Sequence, residues 1–112
     1  MVRSEGAART VSSQLRFQIL SLADGMGEVT SHEEAAWSSV TFAGTRHELE
    51  ICFYGNHACE AGERMIAELP EHEFRISGQI VVDASHRNLD HHFAGGAEEM
   101  KVTLVCLLMK ED

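Results

Sequence analysis

Basic residues are scarce in this chain. Nine Lys and Arg stand against eighteen Asp and Glu, a formal net charge of −9 over 112 residues. A nucleic-acid or anionic-membrane surface needs a basic footprint, so neither partner is expected. Cysteine occurs only three times, at Cys52, Cys59 and Cys106. The number is odd and no CxxC occurs, which excludes a disulfide framework and a zinc knuckle and leaves a reducing cytoplasm as the expected compartment. The longest apolar run, 102–109, is broken by Thr103 and is far shorter than a membrane span. Residues 1–6 lead into no apolar segment, which predicts no signal peptide. GxGxxG, Walker, GxSxG and HExxH patterns are all missing, so no cofactor is expected.

What is present describes a globular chain, 44% hydrophobic and 24% charged. Its length predicts a single domain over 1–112, with 1–10 a frayed, aperiodic segment. Residues 13–19 alternate polar and apolar, which predicts a half-buried strand with Leu15, Phe17 and Ile19 inward. Ser31 and Glu34 have the spacing of a capping box that would open a short helix through Trp37. The β-formers from Trp37 to Phe42 favour instead a strand over 36–43. Gly44, Thr45 and Arg46 read as a turn, and 47–53 as the clearest strand, with Leu49, Ile51 and Phe53 inward.

Asn56 is a suitable N-cap for the next element. Ala58, Ala61, Gly62, Met65, Ile66 and Leu69 then form the apolar stripe of an amphipathic helix over 57–69, stopped by Pro70. Gly62 lies within that stripe, where it permits close approach to a sheet. A strand over 79–85 follows, with Ile80, Val82 and Ala84 on one face and Val81 on the other. Residues 86–96 read as a long polar hairpin loop and 100–109 as the last strand. The expected fold is α+β: a curved antiparallel sheet of about five strands on one helix, in the order β-β-β-α-β-β. As architecture alone this resembles hot-dog folds, although three strands precede the helix here.

The last strand is apolar on both faces, with Val105, Leu107 and Met109 opposite Leu104 and Cys106. One helix covers only one face. The other face therefore needs a curled sheet or a second copy, and a homodimer is the expected partner arrangement. A protein or a small apolar ligand is the further partner that this face suits.

Asp83, His86, Asn88, Asp90, His91 and His92 form the densest polar cluster. Imidazole and carboxylate suit transition metals, which makes His86, Asp90, His91 and His92 candidate ligands. On one regular strand His86, Asp90 and His92 would share a face and His91 would point away. His86 with Asp83 or Asp90 is a candidate acid–base pair. Cys59, in the first turns of the helix beside His57, is a candidate nucleophile, though its place at the border of the apolar stripe fits a buried thiol. Cys106 reads as core and Cys52 as a thiol on the wet face.

Three functions remain open on the sequence. One is an acidic, non-catalytic binding or structural domain that homodimerises through an apolar sheet face. Another is a small hydrolase or thioesterase-like enzyme with a His/Asp site at a dimer cleft. The third is a metal-binding protein using the 86–92 loop.

Overall fold

The computed structural model describes residues 10–111. The elements run α1 (Val11–Ser21), β1 (Glu28–Ser38), β2 (Ala43–Tyr54), α2 (Asn56–Glu68), a 3-10 turn (Leu69–Glu71), β3 (Gln79–Ala94) and β4 (Ala97–Lys110). The fold is α+β as expected, with four strands and two helices, and the element order is α-β-β-α-β-β. The fraying expected of 1–10 lies outside the described residues, apart from Thr10.

The first element is the main correction. Residues 13–19 form a helix. Their period-two spacing competes with a longer 3.6-residue pattern that joins Val11, Leu15, Ile19 and Leu22. Leu15 and Ile19 are fully buried, whereas Phe17, expected inward, is 74% exposed. Thr10 caps the helix, its side chain accepting from the Ser13 N–H at 3.0 Å.

β1 begins at Glu28, so Ser31 and Glu34 lie in a strand and cap no helix. The β1–β2 turn falls at 39–42, where the Ser39 N–H donates to the Phe42 carbonyl at 2.8 Å. Gly44, Thr45 and Arg46, expected to turn, lie inside β2. Gly44 is there for space: a Cβ on it would stand 1.9 Å from the Leu108 carbonyl oxygen.

α2 matches its expected stripe, burying Cys59, Ala61, Gly62 and Met65. Its N-cap is Gly55 rather than Asn56, which is the first helical residue. The 86–96 segment is not a loop. β3 continues to Ala94 and closes onto β4 through Gly95 and Gly96, with φ of 60° and 85°. Two successive positive φ values define the tight turn that matches strand twist, and glycine takes them without steric cost.

The sheet order is β1-β2-β4-β3, antiparallel throughout. α2 thus joins β2 to β3 with β4 between them, a split β-α-β unit. Leu15, Ile19, Met65 and Leu69 of the helical segments join Leu49, Ile51, Phe53, Met100, Val102, Leu104, Cys106 and Leu108 of the sheet in one core. Two helices on one face replace the single helix inside a curled sheet, so the hot-dog arrangement does not form. Among the described residues no helix is long and apolar enough to cross a membrane.

β3 is not a regular strand. Its register against β4 slips between Val81 and Asp83 and again between His86 and Asn88. Each bulge places two residues opposite one and resets the alternation. Val81 packs on the core and Ala84 is buried, while Ile80 and Val82, expected beside Ala84, are 45% and 46% exposed on the open face.

Candidate functional site

The densest group of chemically able side chains sits where α2 begins. Gly55 turns the chain from β2 into α2, so Cys59 points down onto the sheet, fully buried. Its thiol donates to the Phe53 carbonyl at 3.6 Å. The tight β3–β4 turn sets His91 and Glu98 diagonally across the hairpin on the helix-covered face. His91 Nε2 lies 2.5 Å from Glu98 Oε2, and His91 Nδ1 lies 3.6 Å from Glu63 Oε2 on α2. Asn56 Nδ2 donates to Glu98 Oε1 at 3.2 Å. One ligand atom each from Cys59, His91 and Glu98 lies within 4.8 Å of the others.

Electrostatics follow from these contacts. The hydrogen bond from His91, helped by that from Asn56, holds the Glu98 carboxyl below its usual range against the opposing effect of burial. Burial, then the negative charges of Glu98, Glu63 and Glu99, pushes the Cys59 thiol up. Cys59 is therefore a protonated thiol at neutral pH and a poor nucleophile.

The other sequence candidates scatter. His86 stands opposite Leu104 on the helix-covered face, whereas Asp83, Asp90 and His92 stand opposite Leu107, Lys101 and Glu99 on the open face. The fold thus does not bring His86 together with Asp83 or Asp90, and it separates His91 from His92. On the open face, Asp90 and His92 line a concavity of about 350 Å³ with Cys52, Tyr54 and Lys101. His92 Nδ1 and Nε2 each lie 3.4 Å from a carboxylate, on Asp90 and Glu99. Cys52 lies on this face as expected but is only 7% exposed.

A second polar chain was not anticipated. Arg16 on α1 has only donors, so its Nη1 donates to His32 Nδ1 at 2.8 Å. The His32 proton then sits on Nε2, which donates to His47 Nδ1 at 2.9 Å. Burial, then His47 and Arg16, pushes His32 down to about 4, with Glu34 opposing. Burial likewise lowers His47, which is 1% exposed. The signal was present in the sequence, since His47 has the parity of Leu49, Ile51 and Phe53 and so points inward.

The open face has two characters. At one end Trp37, Gly44, Met109 and Ile80 form a row across all four strands, with Leu107 and Val105 in the next rows. Paired charges begin in those same rows, since Arg46 stands beside Leu107 and Glu48 beside Val105: Glu48 lies between Arg46 at 3.2 Å and Arg87 at 2.9 Å, and Glu50 lies 3.9 Å from Lys101.

No family model matches the chain, and no curated protein matches it by sequence. Among solved structures it is similar to a chain in the virion of a native gene transfer agent particle, with a TM-score of 0.56 and 17% identity. That match covers 91% of this chain and 92% of the other. It is also similar to the type 4 fimbrial biogenesis protein PilO from Pseudomonas aeruginosa, with a TM-score of 0.54 and 14% identity over 96% of this chain and 78% of that one. At these identities the likeness is one of fold.

Proposed function

We propose that this chain is a non-catalytic structural subunit of a protein assembly, and that it associates with a second copy of itself through the open sheet face. The carrying observation is the apolar end of that face, which no helix covers: Trp37, Val105, Leu107 and Met109 are half-buried there, and Ile80 and Val82 are 45% and 46% exposed. Beside it Arg46, Glu48 and Arg87 are paired with one another, so the apolar end is what a partner would gain by covering, while Asp83, opposite Leu107, is a carboxylate that such a partner must accommodate. A two-fold axis through such a patch makes it self-complementary. The structural neighbours support a role in assembly, one belonging to a virion and the other named for fimbrial biogenesis. The protonated, buried Cys59 counts against thiol catalysis.

Two copies each carrying −9 repel at long range, so the dimer should tighten as salt rises. Sedimentation equilibrium over a salt series measures this directly. Trp37 is the sole tryptophan, so its emission should shift to shorter wavelength as concentration rises. Leu107→Lys should abolish both effects by placing a charge in an apolar contact. A monomer at tens of micromolar in high salt, with constant Trp37 emission, would overturn the proposal.

A further inference from the structure

We infer that Cys59, His91 and Glu98 form a binding site for a zinc-class divalent cation. The three ligand atoms come from three elements, α2, β3 and β4, and converge within 4.8 Å. Their types select the ion: a thiolate and an imidazole with one carboxylate suit zinc, whereas magnesium and calcium prefer oxygen alone. His91 Nε2 and Glu98 Oε2 are the atoms turned toward each other, at 2.5 Å. Tetrahedral bonds of about 2.0–2.1 Å would hold two such atoms roughly 3.3 Å apart, so the ion replaces their hydrogen bond by a small opening of the hairpin.

The outer contacts fit the same reading. A metal-bound imidazole donates its other N–H to a carboxylate, and His91 Nδ1 already faces Glu63 at 3.6 Å. A metal-bound carboxylate is itself hydrogen-bonded, and Asn56 already donates to the far oxygen of Glu98 at 3.2 Å. Binding releases the Cys59 thiol proton to solvent, leaving a thiolate on the ion, and the proton between His91 Nε2 and Glu98 gives way to the ion, so that the neutral ring carries its proton on Nδ1 toward Glu63. Three protein ligands leave a fourth position, which opens outward because the His91 and Glu98 side chains are 29% and 13% exposed.

This set differs from the histidine cluster that the sequence singles out. It shares only His91, and His92 and Asp90 lie on the opposite face.

Cobalt(II) titration of the full chain, followed by zinc competition, tests the inference without any activity assay. One equivalent of cobalt should bind, with a thiolate-to-cobalt charge-transfer band and the intense visible bands of a four-coordinate site. His91→Gln should weaken binding tenfold or more, and Cys59→Ser should remove the charge-transfer band. His92→Gln should leave both intact. Cys59 is buried, so should its variant fail to fold, the wild-type charge-transfer band and the more exposed His91→Gln decide the matter. No stoichiometric binding, a cobalt complex without the thiolate band, or a loss under tenfold in His91→Gln would each overturn the site. A loss in His92→Gln equal to that in His91→Gln would move the ion to the histidine cluster and overturn it as well.

Discussion

Acidification from pH 7 to pH 5 tests the Arg16–His32–His47 chain. The folded protein holds His32 near 4, against 6.5 for the free side chain. As pH falls, the unfolded chain takes up the proton first, so stability is present above about 6.5 and is lost as pH falls towards 4. The linkage between these values amounts to about 2 kcal/mol from pH 7 to pH 5. His32 is partly exposed, and screening brings the expected loss to about 1–2 kcal/mol. The control is His32→Gln, whose amide offers an acceptor to Arg16 and a donor to His47 but takes up no proton. Urea melts of both proteins at pH 7, 6 and 5 give the difference, from which the groups remote from His32 cancel; His47, its hydrogen-bond partner, stays part of the tested chain. The wild type should lose about 1–2 kcal/mol more than the variant over this range. Equal losses, to within about 0.3 kcal/mol, would refute the half-buried hydrogen-bond chain and its neutral imidazole.

Leu69 is 1% exposed in the core, so Leu69→Ala should cost about 2–5 kcal/mol in denaturant melts, and a change below about 0.5 kcal/mol would refute its assigned burial. A Cβ on Gly62 would stand 2.5 Å from the Met100 methyl and 2.9 Å from the Phe53 ring. Gly62→Ala should therefore destabilise, because overpacking of about 1–3 kcal/mol exceeds the helix-propensity gain of about 1 kcal/mol, and a more stable variant would contradict this. Phe17→Gln should change stability by no more than about 0.5 kcal/mol, since the ring is 74% exposed on α1. A loss above about 2 kcal/mol would put Phe17 back in a core, as the strand reading of 13–19 requires.

The parts of the fold that were legible are those where one periodicity dominates. The stripe from Ala58 to Leu69 fits only a helix, and Leu49, Ile51 and Phe53 fit only a strand. Both faces of β4 were readable for the same reason: its register against β2 runs without a slip from Glu99 to Met109. Residues 13–19 satisfied two periods at once. The decision lay outside that window: Val11 and Leu22 extend the helical pattern, whereas alternation puts polar Ser13 on the inward side and leaves Leu22 with the opposite parity. β3 failed for a different reason. Simple alternation from Val81 puts 89 and 91 on the core side, where the structure has them. The bulges at Val82 and Arg87 displace only the stretch between, turning Ala84 and His86 inward. Ala84 was the misleading residue: read as the anchor of the core face, it reverses everything beyond His86. That reversal groups His86 with Asp90 and His92 and points His91 away from Cys59. The candidate site was therefore hidden by two inserted residues rather than by distance along the chain. Its ligand types were all visible, and only the register of β3 against β4 brings them to one place.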